Sequence, residues 1–311
     1  MPAFLFLLLS LNSDLERLVE NGHFKRARAL VAQHAQPQDA RGLALAAKIH
    51  RAYSELDQAA RLAERAAALE PRNADHQFLL CEIYGTQAQR ASLLRQPFLG
   101  RKTKKAMDAA IALDPNHVDT LTVLMLYYYQ APSLIGGDKE KARALPAKIR
   151  QIDPARGWLA EARLAALEKN PARQEEAYRK AAEANPRHYA SRLALASHYF
   201  DRREDSASAA IHARAAHELE PDRAAPFALL AAAAALQGKL DEMDEWLRKA
   251  EKQVPDDRYP HLAAARALLQ AKRELTRAKN LIMRYLEQEP EAIRTPHEQV
   301  RKELRAIDGL R

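Results

Sequence analysis

Leu69-Glu70-Pro71, Leu113-Asp114-Pro115, Ile152-Asp153-Pro154, Ala184-Asn185-Pro186, Leu219-Glu220-Pro221, Gln253-Val254-Pro255 and Gln288-Glu289-Pro290 close seven similar stretches of the 311-residue chain. Successive prolines lie 44, 39, 32, 35, 34 and 35 residues apart. Proline cannot continue a helix but readily opens the turn that follows one. Recurrence at about 34 residues is the mark of stacked helix pairs, none of which can bury its apolar face without a neighbour.

Other positions fall into line with the prolines. Residues 40–73 carry Leu43, Ala46, Ala47 and His50, then Ala59, Ala63, Ala66 and Pro71. Residues 190–223 carry Leu193, Ala196, Ser197 and Phe200, then Ala209, Ala213, Ala216 and Pro221. Residues 224–257 carry Phe227, Leu230, Ala231 and Ala234, then Met243, Leu247, Ala250 and Pro255. Small residues let two helices of a pair approach closely, and large ones fill the space to the next pair.

This pattern resembles the tetratricopeptide repeat over residues 15–292. Trp158 stands at the family's tryptophan position, Tyr84 and Tyr128 at its tyrosine, and Tyr178 at its second aromatic. The resemblance implies an all-α, right-handed superhelical solenoid of antiparallel helix pairs. A partial first repeat and seven more would fill residues 14–292 as one array. The stretch from Tyr84-Gly85 to Gly136-Gly137-Asp138-Lys139 is also similar to bacterial tetratricopeptide proteins, many of them exported, and loosely similar to the regulator of microtubule dynamics family.

Two gaps exceed the period. The first holds about ten extra residues around Arg95 to Gly100, and the second about five around Ala131 to Gly137; such insertions are expected in inter-helix loops. Pro146 falls inside an expected second helix and should kink or shorten it. Thr295-Pro296-His297-Glu298 reads as a capping box that starts a C-terminal capping helix within 293–311. At the other end, residues 1–13 contain the apolar run Ala3 to Leu9, too short to span a membrane but long enough for a signal-peptide core. Export, periplasmic or secreted, is the favoured reading. A folded N-terminal helix with cytoplasmic residence, or an anchor, are the alternatives.

No phosphate-binding, dinucleotide-binding or zinc-protease motif occurs, so no catalytic residue, cofactor or metal is expected. The histidines are scattered. Gly136-Gly137-Asp138 reads as an inter-helix turn with Asp138 as helix cap. Cys81, the only cysteine, follows Leu80 at a small-residue position and reads as a packing residue.

The formal net charge is +8, and no acidic residue lies between Thr86 and Met107, where Arg90, Arg95, Arg101, Lys102, Lys104 and Lys105 form a candidate basic patch. Nucleic acid is disfavoured as its partner, because Phe98 is the one aromatic nearby for base stacking. In the family the resemblance points to, ligands lie along a groove lined by the first helix of each pair. Here that groove would present Arg41, Ala44, Lys48 and Arg51, then Phe78 and Glu82, then Thr122, Leu126 and Tyr129, then Arg163, His198 and Asp201, and last Ala228, Ala232 and Ala235, an alanine-lined end that suits a partner helix or, as the default reading, tight packing. The expected function is therefore a non-catalytic scaffold that takes a protein or peptide segment in this groove, basic at its start. The alternative is a membrane- or assembly-associated factor that uses residues 90–105 on anionic lipid or acidic partners, without spanning the membrane.

Overall fold

A computed structural model describes residues 12–33, 38–201 and 205–308; the apolar run at 3–9 lies outside them. Helices and turns account for all regular structure among the described residues. They form two compact units, Met1–Asp153 and Pro154–Arg311, where the sequence reading treats 14–292 as one array.

In the first unit α1 (residues 12–20) pairs with α2 (Phe24–Gln33), α3 (Ala40–Ala52) with α4 (Leu56–Leu69), α5 (Ala74–Arg90) with α6 (Gln96–Leu113), and α7 (Val118–Gln130) with α8 (Lys139–Ile152). In the second, α9 (Pro154–Leu167) pairs with α10 (Pro171–Ala184), α11 (Tyr189–Asp201) with α12 (Ser206–Leu219), α13 (Ala224–Gln237) with α14 (Leu240–Gln253), and α15 (Tyr259–Gln270) with α16 (Leu275–Leu286), before α17 (His297–Asp308). Each unit is a stack of helix pairs, and the fold is an all-α helical-repeat solenoid.

Five of the seven prolines act through one turn. Asn73 N–H donates to the Glu70 carbonyl at 3.1 Å, His117 to Asp114 at 3.1 Å, His188 to Asn185 at 3.0 Å, Arg223 to Glu220 at 3.4 Å and Asp257 to Val254 at 3.0 Å. In each case the proline holds the second position of the four-residue turn, where its fixed φ is already correct. The acidic or amide residue before it adds a local bond where its side chain reaches forward: Asp114 Oδ1 accepts from Asn116 N–H at 2.8 Å and Asn185 Oδ1 from Arg187 N–H at 3.0 Å. Pro154 departs from the scheme. It is the first residue of α9, so no turn intervenes after α8, and this is where the two units divide. The three missing turn residues account for the gap of 32 that follows it, against 35 after Pro186.

Packing follows the small-and-large logic. Ala59, Ala63 and Ala66 on α4, and Ala209, Ala213 and Ala216 on α12, are completely buried. Leu43, Ile83 and Phe227 on first helices are equally inaccessible. Cys81 joins the α3–α6 core, where burial pushes its thiol up to about 12, an inert packing group. Asp138 caps α8 by accepting from the N–H groups of Glu140 and Lys141 at 3.1 and 3.0 Å. Those bonds, with the Lys141 ammonium, hold its carboxyl below the usual range. The two glycines before it serve the backbone: Gly136 has φ +95°, and a Cβ on Gly137 would lie 1.7 Å from the Ala131 carbonyl oxygen.

Two expectations are corrected. The first insertion is not a loop. It lengthens α5 to 17 residues and α6 to 18, against 13 in α3 and 14 in α4. Only residues 91–95 connect them, because Gln87 to Arg90 and Arg101 to Ala106 are good helix formers and Pro97 suits a first helical turn. Nor does Pro146 shorten its helix: α8 keeps 14 residues with Pro146 buried inside it, anchored by the Asp138 cap and by fully buried Ala142 and Ile149.

The packing scheme has a direct test. Ala213→Leu should cost about 1–3 kcal/mol by forcing its helix pair apart, and Phe227→Ala about 3–5 kcal/mol by leaving a cavity. Urea unfolding would measure both; a neutral Ala213→Leu would contradict close approach at that position.

Candidate functional site

The sequence places its candidate groove on first helices, and the structure brings five of those residues together across α3 and α5. Arg41, Lys48 and Arg51 share one face of α3, spaced seven and three residues apart. Phe78 and Glu82 share a face of α5. Arg51 donates to Glu82 at 2.7 Å, which ties the two helices, and Arg41 is paired with Glu16 of α1. Lys48 is exposed and makes no ion pair among the described residues. The Phe78 ring lies 5.4 Å from that of His117, which bonds Asp75 at 2.9 Å and Thr120 at 2.7 Å, so this aromatic is partly committed to joining the third pair.

Other candidates stand elsewhere. Tyr129 carries the Lys139 ammonium 5.2 Å from its ring centre, across the 131–138 loop. Arg163 is exposed on α9, and His198 is on α11, both in the second unit. The His198 side chain is 9 % exposed, with Tyr178 at 5.2 Å and Glu175 at 3.8 Å, both on α10. It belongs to a helix–helix contact, not to an open surface. Ala44, Thr122, Ala228, Ala232 and Ala235 are likewise buried, which removes them from any groove. Thr122 turns its hydroxyl to the Val118 carbonyl at 2.9 Å.

The basic stretch divides in two. Lys102 reaches Glu64 at 3.4 Å and lies over Tyr84 at 4.7 Å; Lys104 holds Asp108 at 2.6 Å. Arg90, Arg95, Arg101 and Lys105 are exposed and have no acidic partner among the described residues. Sequence reasoning passed over the apolar residues set among them, Leu93 and Leu94, and the pair Leu134-Ile135 in the following loop. Consecutive aliphatics inside an expected loop were the available signal. No helix among the described residues is long and apolar enough to cross a membrane.

No family model and no curated protein matches the chain. Similar solved structures include Pseudomonas aeruginosa pilF, 16 % identical over 75 % of this chain and 97 % of that one with a TM-score of 0.42. A tetratricopeptide repeat protein from Parabacteroides merdae is 17 % identical over 84 % of this chain and 98 % of that one, TM-score 0.46. The human IFIT1 dimer with m7Gppp-AAAA is 14 % identical over 79 % of this chain and 59 % of that one, TM-score 0.50. At such identities the likeness is one of fold alone, that of a helical-repeat solenoid.

The second unit holds titratable groups of a different kind. Burial, with Arg192 beside it, pulls His212 below its ordinary value; burial, with Lys249, does the same to His217. Burial also lowers His198 and His261, against opposing pulls from Asp201 and Glu251. His217 lies 4.5 Å from Phe227 and 5.7 Å from Trp246, ring to ring. A histidine whose folded pKa is depressed binds its proton more readily when unfolded. Its contribution to stability is therefore intact above about pH 6.5 and is lost as pH falls from there through the folded value. The melting temperature should drop between pH 7 and pH 5, and His217→Phe should reduce that drop. Circular dichroism melts would check this, and a melting temperature that rose on acidification would reverse the sign of the argument.

Proposed function

We propose that the chain is a non-catalytic scaffold that binds extended protein segments along the α3 and α5 face of its first unit. The tetratricopeptide-type fold supports an interaction role, since helical repeats work through extended surfaces. The observation that carries the location is Lys48. It is the cation on this face with no carboxylate of its own, flanked by two arginines that Glu16 and Glu82 hold in place. A pre-positioned cationic row with an unsatisfied charge at its centre favours an acidic segment or a C-terminal carboxylate. Phe78, one turn before Glu82 on α5, offers a partly exposed ring for an apolar side chain.

Panning a displayed peptide library on the full chain should enrich acidic sequences. Lys48→Glu should weaken the selected peptides at least about tenfold while leaving both arginine pairs intact. Lys48→Glu together with Arg51→Glu should abolish binding. Selected peptides that bind Lys48→Glu as tightly as the parent would place the site elsewhere.

The apolar run at residues 3–9 supports export of this scaffold. N-terminal sequencing of the protein made in its native host should find a chain that begins after this run; a chain that retains it would refute cleavage.

A further inference from the structure

The α5–α6 hairpin is longer than its neighbours, and its surplus lies at one end. Three to four extra residues per helix carry the tip about one helical turn, ~5 Å, past the adjacent pairs. That tip is apolar at its crest: Leu93 is 82 % exposed, Leu94 94 % and Phe98 54 %. The next intra-pair loop, residues 131–138, carries Leu134 at 95 % and Ile135 at 60 %. Tyr127 joins the two elements. Its hydroxyl donates to the Ile135 carbonyl, and its ring lies 5.9 Å from the Lys104 ammonium of α6. Gly136 and Gly137 hold the second loop in a conformation other residues would not adopt.

Arg90 at the end of α5, Arg95 in the connection and Arg101 in α6 flank these leucines in the chain, all exposed and without a carboxylate partner among the described residues. Elsewhere, large exposed apolar side chains such as Ile211, Met283 and Ile293 occur singly, as on any soluble surface. Here four aliphatics and a phenylalanine share one edge with uncompensated cations.

We propose that this edge docks on the surface of an anionic lipid bilayer, with the aliphatic crest inserted among the headgroups and the arginines on the phosphates. Exposure separates this from a protein contact. Anchor residues at protein interfaces fill pockets, whereas Leu93, Leu94 and Leu134 keep more than four-fifths of their surface in solvent. Shallow insertion of apolar side chains under a row of cations is the geometry of interfacial attachment. The edge is independent of the α3–α5 face, so either reading can fail without the other.

The experiment is flotation of the full chain with vesicles of phosphatidylcholine alone, and of two parts phosphatidylcholine to one part phosphatidylglycerol. The chain should float with the second and not with the first, and high salt should release it. Each arginine near an anionic surface strengthens attachment roughly fivefold. Arg90→Glu, Arg95→Glu and Arg101→Glu together should therefore weaken it by at least about a hundredfold. Leu93→Ser with Leu94→Ser should weaken it about tenfold or more, because apolar insertion is lost. Lys48→Glu should leave it unchanged. All of these side chains are exposed, so the variants should keep the parent's circular dichroism, and the two-vesicle comparison decides the question even where a variant folds poorly. Equal flotation with both vesicles, flotation with neither, retention of binding by the triple arginine variant, or capture of an acidic protein at this tip while vesicles are ignored would each overturn the proposal.

Discussion

Two helices can lie side by side at close range only where neither presents a bulky side chain. The alanines of the second helices impose that condition. Ala59, Ala63 and Ala66, and again Ala209, Ala213 and Ala216, have no accessible surface, and they stand at the spacing that keeps three residues on one helix face. Once a pair is closed in this way, its larger apolar residues cannot be satisfied within it. Leu43, Ile83 and Phe227 must find cover in the next pair, so the stack follows from the pair. The proline turns then determine where the next first helix begins.

What is local in this arrangement was legible in the sequence. A proline at the end of each repeat marks where a helix stops, and Asp138 after two glycines specifies a cap. The buried alanines were legible through their recurrence. Less local features were not. Extra residues between two prolines can loop out or wind up, and the spacing is the same in both cases; helix propensity in 86–107, more than repeat arithmetic, was the relevant signal. Pro154 looks like its counterparts, yet it opens a helix where Pro71, Pro115, Pro186, Pro221 and Pro255 open turns. An alanine facing a groove is also indistinguishable in sequence from one facing a helix, which is why Ala44 was placed in the groove, while Ala228, Ala232 and Ala235 took the packing role that was their default reading. His198 was misplaced for the complementary reason: a polar residue on a first helix reads as exposed until the ring of Tyr178 is set against it.

Electrostatics depends on the stack as well. Arg28 meets Glu55 across 27 residues, Arg214 meets Glu242 across 28, and Arg277 meets Asp244 and Arg284 meets Glu251 across 33. These separations approximate one repeat, so much of the surface charge is settled laterally, each helix answering the one a repeat away. Such pairs, partly exposed, stabilise the stack only modestly. Their larger effect is to leave little uncommitted charge where helices run in register, as Arg41 and Arg51 show beside Lys48.

Register also explains why the α5–α6 tip differs. Residues that extend past the neighbouring pairs have no counterpart one repeat away. Cations there have no lateral carboxylate, and apolar side chains there have no lateral cover. Alanine or a short polar residue would have served the fold equally well at 93 and 94, since neither position touches the core. Consecutive leucines at such a place lower solubility without adding to packing. The composition of the overhang is therefore not set by the constraint that governs the rest of the chain, and an apolar crest backed by unpaired arginines calls for a surface outside the molecule that is both oily and negatively charged.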